Sequence, residues 1–291
     1  MEALKAWLPL LVLLSIGLMV LAIGLGAALE HALYLFRRPG QLLRAVVAMY
    51  VVVPVVATVV VKSLHLDPLV ALAIVLMSVS PVPPILPVAQ RKVGGRQPYV
   101  LGLLVAVSVL AVVLVPLSLV LLSRVFPVSA YLPPPGVARV ILLTVLVPLA
   151  AGIAIGRVAP AFARRASGPI ARVGTLLLAL AFLPVLALSL PQMIGLIGNG
   201  TLLAIAVVSG AGLAAGHMLG GPDPDDRSAL ALATLTRHPG IALAIAKASF
   251  PGLNVLDAVL LYLLVSVLIG VPYRRWALAR HEAADAPANP A

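Results

Sequence analysis

Nine times along this chain the sequence runs for about twenty apolar residues or more, and turn-forming residues separate the runs. The runs lie at about 7–30, 42–63, 68–90, 98–123, 137–156, 170–194, 201–220, 228–250 and 254–276. Each is long enough to cross the roughly 30 Å hydrocarbon core of a bilayer as a helix. Helix is required there, because lipid offers no partner for an unpaired backbone N–H or C=O. The separators include Arg37-Arg38-Pro39-Gly40, Gly94-Gly95-Arg96, the Pro133–Gly136 run and Gly220–Asp226. Charged residues make up 10% of the chain, against about a quarter in a soluble domain, too few to cover a water-facing surface. The expectation is an all-α polytopic membrane protein with nine transmembrane helices. It forms one transmembrane unit over residues 1–280, followed by a polar, disordered cytoplasmic tail over 281–291.

Lysine and arginine sort cleanly under a nine-span count. Lys5, Lys62, Arg124, Arg139 and Lys247 fall on one side. Fourteen others, from Arg37 to Arg280, fall on the opposite side, and Arg237 alone lies inside a run. The rule that basic residues stay inside then puts the N-terminus outside and the C-terminus in the cytoplasm, in the inner (plasma) membrane. The net charge of +11 is scattered over short loops and forms no continuous basic face, so nucleic acid is not an expected partner. The absence of cysteine removes thiolate metal sites and cysteine nucleophiles. No metal site or cofactor is expected.

The third and eighth runs share a pattern. Residues 71–81 read ALAIVLMSVSP and residues 229–239 read ALALATLTRHP, at a constant offset of 158. Runs five apart point in opposite directions, so the repeat is inverted. Spans 1–4 pair with 6–9 and span 5 is left over. The first repeat covers about 7–123 and the second about 137–276. Pro81, Pro83, Pro84 and Pro87 in the third run, and Pro239-Gly240 in the eighth, are expected to break both helices at mid-span. Paired interruptions in inverted halves point to a transporter binding site. Gly152-x-x-x-Gly156 and Gly212-x-x-x-Gly216 are read as close helix contacts.

All nine acidic residues lie at span ends, in loops or in tails. A site built on buried carboxylates is therefore not expected. The cation Arg237, followed by His238, needs carbonyls, hydroxyls, water or an anionic substrate as partners, and its planar fork suits an oxyanion. The alternative reading is that Arg237 caps the broken helix through carbonyls. His238 is read as a spacer beside the break or a proton carrier. Ser78, Ser80, Thr234 and Thr236 are candidate lining residues, with bonds back to their own helices as the competing reading. Gln90 is expected to be solvated at the cytoplasmic end.

At these residues the chain resembles the bile acid:sodium symporter superfamily over nearly its whole length. The matching features are Arg37-Arg38-Pro39, Ser80-Pro81, Lys92-x-Gly94-Gly95 and Gly240-Ile241-Ala242-Leu243-Ala244. The resemblance implies a core domain with two crossed discontinuous helices, the third and eighth. It also implies a panel domain, with substrate between the two and access alternating. Departures come with it. Where sodium-coupled members carry a Glu and then Gln-Asn-Ser-Gly, this chain has Ala233, Arg237 and His238. The family's polar first crossover is replaced by Val82-Pro83-Pro84-Ile85-Leu86-Pro87. Ser108 falls near a family hydroxyl ligand and cannot hold an ion alone.

These observations predict a transporter of a small organic anion in which Arg237 replaces the charge of sodium, which is then not needed as a cofactor. An ordinary sodium-coupled anion symporter and a non-transporting membrane binding protein are the alternatives. No catalytic constellation such as an Asp pair or His-Glu-x-x-His is present, so an enzyme is not expected.

Overall fold

The computed structural model describes residues 2–126 and 134–285. The described residues are all helical and contain no strand. In chain order the helices are α1 (Glu2–Leu25), α2 (Leu29–Ala32), α3 (Pro39–Ser63), α4 (Pro68–Val79), α5 (Leu86–Lys92), α6 (Gln97–Ser123) and α7 (Pro135–Val158). Then follow α8 (Pro160–Gly195), α9 (Thr201–Leu219), α10 (Pro224–Leu235), α11 (Pro239–Ser249) and α12 (Leu256–Asp285).

Seven stretches among the described residues are long and apolar enough to cross a membrane: α3, α6, α7, α8, α9, the α10–α11 pair taken together, and α12. The first expected span falls on α1, of which Leu10–Leu25 forms a shorter apolar stretch. The third is divided between α4 and α5.

Two helices carry a π-helical turn, Val47–Val52 in α3 and Leu142–Leu146 in α7. Each is followed within two residues by a proline, Pro54 and Pro148. A proline has no N–H to give the preceding turn and its ring crowds the carbonyl there, so the ladder widens.

Glycines set the closest approaches. A Cβ at Gly152 or at Gly24 would strike the backbone of the other helix, and one at Gly156 would lie 2.8 Å from Leu25 O. The pair Gly152/Gly156 therefore lets α7 lie against α1. Gly212 and Gly216 do the same for α9 against α10. Helices α1, α7 and α8 pack on one another, whereas α9 packs on α3, α10 and α12.

The basic side of the charge count comes together at one end of the molecule. Arg96 from the α5–α6 loop pairs with buried Asp226, its Nε donating to Oδ1 at 3.1 Å, and Arg96 Nη1 lies 3.3 Å from Asp223. Asp226 holds the Arg96 guanidinium above its ordinary range, and partial burial opposes the shift. Arg280 Nη2 donates to Asp225 at 2.8 Å, and His281 Nδ1 lies 3.5 Å from the same carboxylate. Helix α12 runs on to Asp285, past the predicted start of a disordered tail at His281. Residues 286–291 of that tail lie outside the described residues.

Candidate functional site

The two interrupted helices are built alike in their first halves. Each first half, α4 and α10, is twelve residues long. Each starts with an aspartate N-cap followed by proline at the first helical position. Asp67 accepts from Leu69 N, and Asp223 accepts from Asp225 N and Asp226 N. Each ends in an extended residue, Ser80 or Thr236. Asp67 to Asp223 and Ser80 to Thr236 are both 156 positions. The offset of 158 read from the apolar pattern misses these helix ends by two residues.

The second halves differ. Six residues, Ser80–Ile85, separate α4 from α5, and three, Thr236–His238, separate α10 from α11. Three of the expected break residues act instead as starts. Pro239 is the first residue of α11, Gly240 the second, and Pro87 stands in the first turn of α5. A proline is preformed for a helix N-terminus and forces the residue before it out of helix, so each break lies on its N-terminal side. Pro81, Pro83 and Pro84 stay within the break and are buried.

The two breaks touch. His238 N donates to Pro81 O at 2.8 Å. Arg237, next to it, has no solvent exposure, and its guanidinium donates through Nη1 to Ser80 O at 3.2 Å and through Nη2 to Met49 O at 3.0 Å. Met49 lies in the π turn of α3. In the five-residue register of that turn its carbonyl faces residue 54, a proline with no N–H to offer. Arg237 supplies the missing donor. One guanidinium thus ties α3, the end of α4 and the end of α10 together. The carbonyl ends of α4 and α10 each carry about half a negative charge, which the cation at their ends balances. Among the described residues no carboxylate pairs with Arg237.

The other candidates sit around this point with their side chains turned to backbone. Ser78 Oγ donates to Val75 O at 2.6 Å, Ser80 Oγ to Leu76 O at 2.8 Å, and Thr234 Oγ1 to Ala231 O at 2.8 Å. All three are buried, and Thr236 is partly exposed. His238 caps α11, its Nδ1 accepting from Gly240 N at 3.1 Å, so its ring proton is on Nε2. That nitrogen and Arg237 Nε are buried without a protein partner. Ser108 is buried on α6, beside Val107, whose carbonyl accepts from Tyr50 Oη at 3.4 Å.

Two contributors escape sequence reasoning. Met49 is an apolar residue that acts through its carbonyl, and only the position of Pro54 signals it. Gln90 is 1% exposed rather than solvated, and its Nε2 donates to Ala229 O at 2.7 Å. It joins α5 to α10 as Arg237 joins α4 to α10, and no spacing marks it in the sequence.

Comparison with known proteins bears on the first part of the chain. No curated protein matches the chain. The sequence profile of the sodium bile acid symporter family matches residues 13–196 and stops before α9, so the second break lies beyond it. A match over more than half of the chain, on a set of apolar helices long enough to cross a membrane, makes this an integral membrane protein of the sodium bile acid symporter family, whose members are transporters and not enzymes.

Proposed function

We propose that this protein is a secondary transporter of a small organic anion, in which Arg237 provides the positive charge that a sodium ion provides in its relatives. The observation that carries the reading is the position of that guanidinium, fully buried where the two breaks meet and bonded to Ser80 O and Met49 O. A cation fixed there balances the helix ends without an ion. The unspent donors at Arg237 Nε and His238 Nε2 are suited to an anionic group when the site opens. Ser78, Ser80, Thr234 and Thr236 surround the same place, and Ser108, near the position of a family hydroxyl ligand, does not hold an ion alone.

The wider architecture in this proposal has nine spans, with the N-terminus outside and the C-terminus in the cytoplasm. Spans 1–4 and 6–9 form inverted repeats, and the interrupted helices cross. The shared length and caps of α4 and α10 support the repeat. The packing of α1 on α7 and α8 supports a panel that moves against the remaining helices as access alternates.

The test is the melting temperature of purified protein against a panel of organic anions, each in sodium and in choline buffer. A ligand at about 100 times its dissociation constant adds about 2.7 kcal/mol of apparent stability. The expected result is equal stabilisation by one anion in both buffers, lost in Arg237→Gln. Stabilisation confined to sodium buffer would make this an ordinary sodium-coupled symporter. Binding without flux into liposomes would make it a membrane binding protein.

A further inference from the structure

A groove opens at the basic end of the molecule, away from the two breaks. Its inner part, about 480 Å³, lies between α2, α6 and α7 and is walled by apolar side chains such as Val105, Leu149 and Ile153. Its outer part, about 690 Å³, lies between α2, α7 and the first turns of α8 and is lined by Arg37, Arg157 and Arg164, with His31 and Glu30. Leu29, Leu33 and Arg157 line both parts, so one trough runs from an apolar floor to a basic mouth. Among the described residues none of the three arginines makes an ion pair, and all are exposed. Glu30 is a single negative charge against three.

Val158, which lines the apolar part, and Phe162, in the first turn of α8, are both exposed apolar side chains, at 86% and 56%. In a membrane protein such side chains meet lipid, so the trough is reached sideways from the bilayer. Its basic mouth sits at the end of the spans, where phosphate groups lie. We propose that this groove seats an anionic phospholipid of the leaflet on the basic side. The phosphate lies among Arg37, Arg157 and Arg164, and an acyl chain runs along Val105, Leu149 and Ile153. Two guanidinium forks can hold one phosphate through several charge-assisted hydrogen bonds, which a zwitterionic lipid matches less well because its own ammonium competes.

The experiment is the melting temperature of the full chain in neutral detergent, titrated with phosphatidylglycerol, with phosphatidylcholine of the same acyl chains, and with glycerol phosphate as the bare headgroup. Phosphatidylglycerol is expected to stabilise well beyond the other two. Arg157→Gln with Arg164→Gln is expected to weaken its apparent affinity about 30-fold, about fivefold for each basic residue near an anionic surface. The paired lysine substitutions should stay within a few-fold of the parent. Ala154→Trp, which fills the apolar trough and leaves every charge in place, should weaken binding as well. Each shift is read against the same variant without lipid, so a change in basal stability does not confuse the result. Equal stabilisation by phosphatidylcholine overturns headgroup recognition. Equal stabilisation by glycerol phosphate overturns the acyl seat. Unchanged affinity in both the glutamine pair and Ala154→Trp overturns the location.

Discussion

Gly216→Ala offers a sharp test of how α9 rests on α10, because the same helix provides its own control. A Cβ at Gly216 would lie 2.6 Å from Ala231 Cα and 2.6 Å from Leu230 O, and it would strike Thr234 Oγ1. Two of those three atoms are backbone and have no rotamer to retreat into. Relief to ordinary contact distance requires the helices to part by about 1 Å, and overpacking of this kind costs about 1–3 kcal/mol. Backbone neighbours place the cost at the upper end. Gly210, on the same helix, has no atom within 4 Å of an added Cβ. Both substitutions gain the same helix propensity, about 1 kcal/mol, so that contribution cancels in their difference. Gly210→Ala is expected to be neutral or stabilising, and Gly216→Ala to fall about 3 kcal/mol below it. Reversible denaturation of both variants in mixed micelles measures the gap. A gap under about 0.5 kcal/mol would refute the close packing of α9 on α10.

Two further perturbations probe the ties between elements. Asp226→Asn removes the buried charge opposite Arg96. Breaking a fully buried pair costs about 3–5 kcal/mol, but the Arg96 side chain is 44% exposed, so about 2 kcal/mol is expected in the same assay. A loss smaller than about 0.5 kcal/mol would mean the pair is held without consequence. Gln90→Leu keeps the volume and deletes the bond to Ala229 O. That carbonyl keeps its partner within α10, so the loss is about 1 kcal/mol, and faster amide exchange in α5 should accompany it. Unchanged exchange would show that Gln90 does not hold α5 in place.

Much of this molecule is legible in the sequence because lipid leaves few choices. An apolar run of twenty residues must be a helix, and Pro81, Pro83 and Pro84 within one of them must interrupt it. The location of the second break was legible only to within a few residues. Apolar repeats in Ala and Leu align at 158, whereas the caps Asp67 and Asp223 align at 156, and caps fix where a helix starts. Those caps are polar residues that the eye drawn to apolar periodicity passes over. The cation in mid-span was visible as Arg237. Its partners were not, because they are main-chain carbonyls, and a carbonyl has no letter in a sequence. Met49 illustrates the limit. The reason its oxygen is free lies five residues away in Pro54, and the donor that finds it lies far along the chain at Arg237.

The guanidinium at the meeting of the breaks is carried on the chain, and this has a kinetic side as well as a structural one. A dissociable ion arrives from one compartment and departs into another, and its occupancy follows its concentration in each. A side chain has no concentration. On the proposed reading the site is never empty of its charge, and no ion gradient enters the driving force through it. With no other coupling, such a carrier runs in either direction until the electrochemical potential of its anion, membrane voltage included, is the same on both sides.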